Sequence, residues 1–271
     1  MQQMNLAVCS FASGSSGNSF LIRNEDTALL VDAGISAKQT VLDLTALGLG
    51  PEDLNAVLIT HEHTDHIKGL KALCLASGAA VYASRGTLLG IPFAQELGET
   101  RAFCPGDSFW IGSIRVDTFP TSHDAADPTG FAFSSGGRTA AIVTDTGTVT
   151  DEAFRMMRMA DLLVLESNHD ESVLKMGRYP WFLKQRILSS YGHLSNEAAA
   201  NAVLKLLKLE QLEGTEKSRL VLLAHLSKEN NFPQMALATM NNILAAEGFV
   251  PGDRLRVEVL SRTERSPLYI L

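Results

Sequence analysis

Three histidines and one aspartate lie within six residues of this chain, in the stretch HEHTDH. They are His61, His63, Asp65 and His66, and they include three of the chain's seven histidines. Neutral imidazole nitrogens and carboxylate oxygens are the donor atoms that proteins offer to Zn²⁺ and Mn²⁺. A polar turn that holds histidines by chance is the weaker interpretation of so dense a cluster. The stretch therefore predicts a metal site.

Three further polar residues stand at or just past the end of a predicted strand. His123 follows IRVDTFPTS, Asp145 follows AAIVT, and His225 follows LVLLA. Open α/β sheets bind ligands beyond their strand ends, so polar groups in these places are candidates for the same site. Each residue taken alone is more simply a buried histidine or a turn aspartate. The same placement at four strand ends favours a shared site.

A basic and aromatic segment precedes the stretch GHLSNE. No Asp or Glu occurs from residue 173 to residue 196, and the segment holds these side chains: Lys175, Arg178, Tyr179, Trp181, Phe182, Lys184 and Arg186. On an acidic protein, such a mixture suits phosphates and stacked bases. The alternative is the solvated basic face of an ordinary helix. We expect Lys184 and Arg186 to contact the substrate.

The stretch SGSSGNS, residues 13–19, lies between two predicted strands and indicates a hairpin with an extended tip. Its two glycines adopt conformations that other residues resist, and its Ser and Asn side chains supply donors without bulk. A flexible linker is the alternative, and a P-loop is excluded because no Gly-Lys-Ser/Thr follows. We expect Ser15, Ser16 and Asn18 to border the site and to contact substrate phosphate.

Short β-like runs that alternate with helical patterns must position these residues. The strand Ala56–Thr60 leads into HEHTDH, and a helix near Ile67–Ser77 follows it. Ser36 and Ser195 are predicted N-caps of the helices that come after them. The order of strand, polar strand end and helix recurs weakly in both halves, with no long linker between them. We therefore predict one α/β domain over residues 1–271, a four-layer αββα sandwich.

Composition narrows the classes of function. The chain has 271 residues, 45% of them hydrophobic, and a net charge of −7, so an anionic substrate needs a local positive site such as a metal. Three scattered cysteines indicate neither a disulfide framework nor a zinc knuckle. No secretory signal and no run of about 18 apolar residues is present. We expect a cytoplasmic protein without a membrane partner, and no feature indicates a protein partner.

The complete pattern of histidines and aspartates resembles the metallo-β-lactamase fold. The matching motifs are Asp-x-Gly in LLVDAG, then HxHxDH, a single His, a single Asp and a last His, spread over residues 32–225. The resemblance implies two divalent metal ions, Zn²⁺ or Mn²⁺, with Fe²⁺ also compatible. It implies the following ligands: His61, His63 and His123 on one metal, Asp65, His66 and His225 on the second, and Asp145 between the two.

Details within this pattern separate the branches of the fold. The β-lactamases carry Cys at the position of Asp145, and flavodiiron reductases carry Glu at the position of His63, so neither lactam hydrolysis nor oxygen reduction is expected. Glyoxalase-type thioesterases and lactonases remain possible on the ligands alone. The stretches SGSSGNS, ESNHD, RYPWFLKQRILS and GHLSNE are similar to the YycJ/WalJ-like branch, which lies near RNase Z and RNase J. That similarity implies nuclease activity of the 5′-to-3′ DNA exonuclease type.

The same resemblance implies roles for residues around the metals. Asp32 is expected to orient a metal-bound imidazole, although a simple turn aspartate is the alternative. His193 is expected to protonate the leaving oxygen, because an imidazole with an ordinary pKa of about 6.5 can donate a proton near neutral pH. Asp65 is counted among the catalytic residues as well as the ligands, and His169 is expected to lie behind the ligands.

We therefore predict a dinuclear metal-dependent phosphodiesterase, a nuclease that acts on DNA in preference to RNA through a hydroxide bridging the metals. The enzyme alternatives are an RNA-processing nuclease and a small-molecule phosphodiesterase. A metal-loaded binding or regulatory protein is the alternative from another class. Turnover of a simple aryl phosphodiester separates an enzyme from a binding protein, and polymer against dinucleotide substrate separates the two kinds of enzyme.

Overall fold

The computed structural model describes residues 5–252 and 254–271. Its strands in chain order are β1 (Ala7–Ala12), β2 (Ser19–Arg23), β3 (Ala28–Val31), β4 (Ala56–Ile59), β5 (Ala80–Ser84), β6 (Thr100–Phe103), β7 (Ser108–Ile111), β8 (Ile114–Pro120), β9 (Thr129–Ser135), β10 (Arg138–Val143), β11 (Leu162–Glu166), β12 (Arg219–Ala224), β13 (Leu255–Val259) and β14 (Tyr269–Ile270).

Its α-helices are α1 (Ala37–Ala46), α2 (Thr64–Ile67), α3 (Leu70–Ser77), α4 (Arg85–Gly90), α5 (Asp151–Met159), α6 (Glu171–Met176), α7 (Trp181–Ile187), α8 (Asn196–Glu213) and α9 (Pro233–Ala246). Two short 3₁₀ helices cover Pro51–Asp53 and Ala94–Glu96. No α-helix among the described residues combines the length and the apolar character that a membrane crossing needs.

The strands form two mixed sheets of seven strands each. The first sheet has the order β14-β1-β2-β3-β4-β5-β6, and its strands β3 to β6 run parallel. The second has the order β13-β12-β11-β10-β9-β8-β7, with β10 to β13 parallel and β7 to β9 antiparallel. The parallel part of each sheet brings several strand ends to one edge, where the α/β rule places ligands.

The chain divides into two compact units. The first contains Met1–Pro120, Ala125–Thr139 and Ser261–Leu271, and the second contains Thr121–Asp124 and Ala140–Leu260. A single domain over residues 1–271 stays a prediction.

In the first unit, the parallel strands β3 and β4 are continuous apolar runs because both of their faces are buried. Leu30 and Val57 are fully buried in one core cluster with Leu70 and Leu73 from α3. Each such side chain contributes about 1.5–3 kcal/mol relative to an exposed one. The predicted hairpin is confirmed, since β1 pairs with β2 in antiparallel register. The predicted cap is confirmed too, because the Ser36 hydroxyl accepts the Gln39 N–H at the start of α1.

The helix predicted near Ile67–Ser77 corresponds to α3, which begins at Leu70; the short helix α2 ends at Ile67, and Gly69 lies between the two. The Gly69 N–H donates to the Ala33 carbonyl at 2.7 Å. A Cβ at Gly69 would lie 2.0 Å from the Ile35 carbonyl oxygen, so the backbone after β3 passes directly against this residue. Apolar periodicity cannot reveal such a break, because the contact comes from a distant segment.

In the second unit, strand β11 is buried along its whole length, including its last residue, Glu166. The long helix α8 begins after Ser195, whose hydroxyl accepts the Ala198 N–H, so this predicted cap is also confirmed. The short helices α6 and α7 occupy the basic and aromatic segment, where sequence periodicity indicated no element.

Candidate functional site

In the first unit, two candidate residues follow neighbouring parallel strands. Asp32 comes directly after β3, and His61 follows β4 after one residue, Thr60. The Asp32 carboxylate accepts from His66 Nδ1 at 2.7 Å and from the Thr60 N–H at 2.9 Å, and it also bonds the Thr60 hydroxyl. Burial raises the pKa of Asp32, although His66 and Thr60 oppose the shift. The ionised carboxylate therefore depends on positive charge nearby, which a protonated imidazole or a bound cation provides.

The histidines of HEHTDH form one cluster around this carboxylate. The ring of His61 lies with its centroid 4.5 Å from that of His63 and 4.0 Å from that of His66. The Thr60 hydroxyl lies 3.0 Å from His61 Nδ1, so Thr60 contacts two imidazoles and the carboxylate. Asp32 makes the contact that its predicted orienting role requires, and the role itself stays a prediction.

Asn18 occupies a buried position under the Ser/Gly loop, only 1% exposed, rather than an exposed edge. Its Oδ1 accepts the Gly14 N–H at 2.9 Å, and its Nδ2 lies 3.1 Å from His66 Nε2 and 3.5 Å from Asp65 Oδ2. Its N–H donates to the Asp65 carbonyl at 2.8 Å. Asn18 therefore fastens the loop to the HEHTDH turn. This contact replaces the predicted contact between Asn18 and substrate.

Ser15 and Ser16 form the exposed tip of the same loop. The turn is closed by the Gly17 N–H, which donates to the Gly14 carbonyl at 2.9 Å. Their predicted contact with phosphate stays a prediction.

Gly34 lies between the Ser/Gly loop and the HEHTDH turn, and the backbone of both segments is too close to it to admit a side chain. A Cβ at Gly34 would lie 1.6 Å from the Asp65 carbonyl oxygen. We expect Gly34→Ala to lower the free energy of unfolding by about 3 kcal/mol or more, because two backbone segments must separate. Urea denaturation measures this loss. Gly98→Ala is the control, since a Cβ there meets nothing within 4 Å, and similar losses in the two variants would contradict the expectation.

In the second unit, Asp145 comes shortly after the end of β10, Glu166 ends β11, and His225 directly follows β12. Sequence analysis missed Glu166 as a site residue. Its fully buried carboxylate accepts from His193 Nδ1 at 2.7 Å and from His225 Nδ1 at 2.9 Å through one oxygen, Oε1. The other oxygen, Oε2, accepts the N–H groups of Thr146 at 2.8 Å and Leu194 at 3.3 Å. Glu166 thus connects two imidazoles to the end of the strand.

The charge of Glu166 follows from these contacts. Burial alone would raise its pKa, but His193 and His225 lower it by more, so the pKa lies well below the usual range of a glutamate. The side chain therefore stays ionised at neutral pH. Glu166 could have been identified from the sequence, because it is a charged residue at the end of the apolar run LLVLE. The same strand-end argument was applied to Asp145.

His123 is held by the loop that carries His193. Its Nδ1 lies 3.0 Å from the Gly192 carbonyl oxygen, and its ring centroid lies 5.0 Å from that of His193. Burial lowers the pKa of His123, which favours the neutral imidazole that binds metals. Asp145 lies next to these rings, with Oδ1 3.4 Å from His225 Nδ1 and 4.0 Å from His123 Nε2.

The donor set of each unit fits divalent metal ions. In His66, His123 and His225, Nδ1 contacts a carboxylate or a carbonyl oxygen. Such a contact fixes the tautomer and leaves the lone pair on Nε2, the arrangement found in histidines that bind metals; in His66 this atom also lies 3.1 Å from Asn18 Nδ2. Glu166 lies close enough to Asp145 to share an ion. Because both its oxygens already accept hydrogen bonds, Glu166 fits the role of an orienting group better than that of a ligand.

Three non-glycine residues among those described have positive φ. They are Asp32 at 60°, Asp145 at 54° and His225 at 54°. Each lies just past a parallel strand and is a predicted site residue. Side chains other than glycine resist this left-handed region, and such strain concentrates at functional sites. The chain therefore turns sharply at these three strand ends and holds polar side chains there.

The structure corrects the role of Lys184. Its side chain is buried, and its Nζ donates to the Lys175 carbonyl oxygen at 2.7 Å near the end of α6. Lys184 therefore stabilises the junction of α6 and α7 instead of contacting substrate. Arg186 forms an ion pair with Asp124 and keeps 53% of its side chain exposed. Its contact with substrate stays a prediction.

His169 is buried, and neither ring nitrogen has a hydrogen-bond partner among the described residues. Its ring therefore makes no hydrogen bond to a proposed ligand, and its expected place behind the ligands stays a prediction. Its backbone carbonyl accepts the Asn196 N–H at 2.9 Å. Burial lowers the pKa of His169 to about 4, against an opposing effect of the Glu166 charge.

This lowered pKa predicts a pH dependence of stability. Between pH 6.5 and 4 the unfolded chain binds a proton at His169 that the folded chain does not, so stability falls as the pH falls. The contribution amounts to about 3 kcal/mol over that interval. We expect His169→Phe to lack this pH-dependent contribution. Between pH 7 and pH 4.5, the unfolding free energy of the wild type should therefore fall by more than that of the variant. A difference between variant and wild type that stays constant in urea titrations with chelator would contradict the expectation.

Comparison with known proteins defines the class. Residues 27–214 match the model of the Beta-lactamase superfamily domain, so the chain belongs to this superfamily. The chain is a metal-dependent hydrolase of the metallo-β-lactamase fold. The crystal structure of the metallo-β-lactamase fold protein YhfI from Bacillus subtilis has the same fold, with a TM-score of 0.70 and 19% identity over 97% of this chain and 99% of that one. The predicted αββα class is confirmed.

Two bacterial relatives are more similar in sequence. Exodeoxyribonuclease YycJ of Bacillus anthracis is 39% identical over 261 residues, which cover 94% of this chain and 95% of the relative. Exodeoxyribonuclease WalJ of Streptococcus pneumoniae serotype 2 is 38% identical over 273 residues, which cover 99% of each chain. The resemblance to the YycJ/WalJ-like branch is confirmed.

Proposed function

We propose that this protein is a dinuclear metal-dependent nuclease that hydrolyses phosphodiester bonds of DNA, as an exonuclease. One observation carries most of the proposal: Glu166 Oε1 binds the Nδ1 atoms of both His193 and His225. A candidate proton donor and a candidate metal ligand therefore share one carboxylate. Hydrolysis of a phosphodiester with an alkoxide leaving group is accelerated by a metal centre and by a proton donor for the leaving oxygen.

The residues that would hold the metals are those implied by the family: His61, His63, Asp65, His66, His123, Asp145 and His225. When bound, two divalent ions supply Lewis acidity, an activated water molecule and compensation of phosphate charge. Asp32, the Gly192 carbonyl and Glu166 orient three of these imidazoles. Zn²⁺ and Mn²⁺ both suit a set of imidazoles and carboxylates.

His193 is the proposed general acid. Its Nδ1 is fixed by Glu166, so Nε2 is the atom that faces a substrate, and 21% of the side chain is exposed. The ionised Glu166 accepts from Nδ1 and fixes the orientation of the imidazole, as a carboxylate does behind a catalytic histidine. The hydrogen-bonded loop from Ile187 to His193 holds the ring in place, because the His193 N–H donates to the Ile187 carbonyl at 3.0 Å.

The choice of DNA is supported by the relatives, two of which carry the name exodeoxyribonuclease and align with nearly the whole chain. An RNA-processing nuclease, a small-molecule phosphodiesterase and a metal-loaded binding protein are the competing functions.

A matrix of metals and substrates tests the proposal. Metal-stripped protein is reloaded with Zn²⁺, Mn²⁺ or Fe²⁺ and given end-labelled DNA, RNA of the same sequence, a dinucleotide and an aryl phosphodiester. We expect DNA to be degraded stepwise from one end, faster than RNA. Preference for RNA or for the dinucleotide would favour the enzyme alternatives. Loaded protein that hydrolyses none of the four would overturn the proposal.

A further inference from the structure

Two aromatic side chains at the start of α7 are exposed. Trp181 is 63% exposed and Phe182 is 73% exposed, although both are large enough to contribute strongly to a core. They are adjacent in the chain, and the helix that carries them, Trp181–Ile187, is anchored by the buried Lys184. An exposed aromatic pair on an anchored helix is a rigid apolar surface with no cover among the described residues.

The cations of the same segment are mostly engaged within the protein. Lys175 pairs with Glu171, Lys184 binds a backbone carbonyl, and Arg186 pairs with Asp124. Of the four basic residues, only Arg178 makes no hydrogen bond or ion pair among the described residues. Phosphate contacts require available positive charge. The segment therefore offers stacking surfaces more than phosphate contacts.

The position of this pair points to its ligand. The last residue of α7, Ile187, accepts the N–H of His193 at 3.0 Å, and a Cβ on Gly192 would lie 2.2 Å from the Ile187 carbonyl oxygen. The helix is thus packed directly against the loop of the proposed general acid. At 1.5 Å per residue, Phe182 lies about 8 Å along the helix from Ile187. Stacked nucleotides of one strand rise about 3.4 Å each, so this length corresponds to about two nucleotides.

We propose that Trp181 and Phe182 stack unpaired nucleobases beside the scissile bond, so that the enzyme takes single-stranded DNA ends in preference to paired ones. The inference rests on the proposed nuclease function and adds the strandedness of its substrate. Base faces are available for stacking in a single strand and are covered in a duplex. Stacking on aromatic side chains is tolerant of sequence and depends on salt less than phosphate contacts do.

The chain has two tryptophans, Trp110 and Trp181, so Trp110→Phe leaves Trp181 as the only one. The metal-loaded variant is titrated with hydrolysis-resistant phosphorothioate oligothymidylate, with an abasic strand of equal length and with a blunt duplex. We expect the oligothymidylate to quench Trp181 fluorescence, and the abasic strand to bind roughly tenfold more weakly. Equal binding of both strands, or binding without quenching, would overturn the inference.

Kinetics supply the second measurement. The double variant Trp181→Ala, Phe182→Ala is expected to raise KM for single-stranded DNA by roughly tenfold or more and to reduce its advantage over a blunt duplex. Trp110→Ala is the matched control, since Trp110 is 65% exposed and lies on β7, and it should leave KM unchanged.

The outcomes separate the two proposals. If the wild type degrades DNA while the double variant has an unchanged KM, the stacking inference fails and the nuclease function stands. If the wild type degrades no nucleic acid, the proposed nuclease function is overturned, and the stacking inference, which rests on it, is overturned with it. If sedimentation shows a wild-type dimer and a monomeric double variant, the aromatic pair contacts a second copy of the chain and the inference is overturned.

Discussion

Asp145→Asn is expected to lower the metal content below two equivalents and to reduce kcat by more than about 100-fold. Even residues that only orient metal ligands cost 10- to 100-fold when replaced, and Asp145 is the proposed bridge between the metals. Its carboxylate lies 3.4 Å from His225 Nδ1 and 4.0 Å from His123 Nε2, and asparagine removes its charge while keeping its shape. Metal analysis of the purified variant, together with turnover of an aryl phosphodiester, measures both effects.

Asparagine is chosen because Asp145 has a φ of 54°, a region that Asn tolerates better than Ala does. The metal-free variant should therefore unfold at nearly the same denaturant concentration as the metal-free wild type. Asp26→Asn, at an exposed turn, is the control for loss of one negative charge. Two full equivalents of metal in the Asp145 variant would exclude the bridging role, whatever its activity.

His193→Ala is expected to slow hydrolysis of DNA by roughly 10²–10⁴-fold while both metals stay bound, the usual contribution of general acid–base catalysis. The loss should be much smaller on a nitrophenyl phosphodiester, because a nitrophenolate departs without a proton. The geometry supports this role, since Glu166 holds His193 Nδ1 at 2.7 Å and leaves the opposite nitrogen to face a substrate. Measurement of kcat on both substrates, with metal analysis of the variant, tests the expectation.

A purely structural role for His193 predicts different rates and a different metal content for the alanine variant. The alanine variant would then lose rate equally on both substrates, or lose metal through the hydrogen bond that Glu166 also makes with His225. His193→Gln keeps a donor for Glu166 and cannot act as an acid near neutral pH, so it should behave as His193→Ala does. His169→Phe is a control for removal of a buried imidazole elsewhere in the same unit.

Much of the candidate metal site was predictable from the sequence because several of its proposed ligands lie at or near strand ends. A buried parallel strand is a short apolar run, and polar residues at the ends of several such strands together indicate a ligand site. Asp145 and His225 were identified in this way, and HEHTDH by its density of histidines. The caps at Ser36 and Ser195 were predictable for a similar reason, since a cap depends on residues only three positions apart.

Other features depend on contacts between distant segments and were decided by the tertiary structure. Glu166 lies 27 residues before His193 and 59 before His225, and no local pattern indicates that one carboxylate binds both imidazoles. Composition suggested a substrate contact for Lys184, yet its ammonium group satisfies a helix carbonyl nine residues away.

Asn18 shows the same limit most clearly. The sequence placed it in a small polar loop with an expected substrate contact, but its buried amide contacts Asp65 and His66 across 47 and 48 residues of chain. Residue type and spacing determine which groups can do the chemistry, because ligand preferences and strand-end placement are local. Which group orients which ligand is determined only when the strands are aligned, because a hydrogen bond requires partners within about 3 Å of each other.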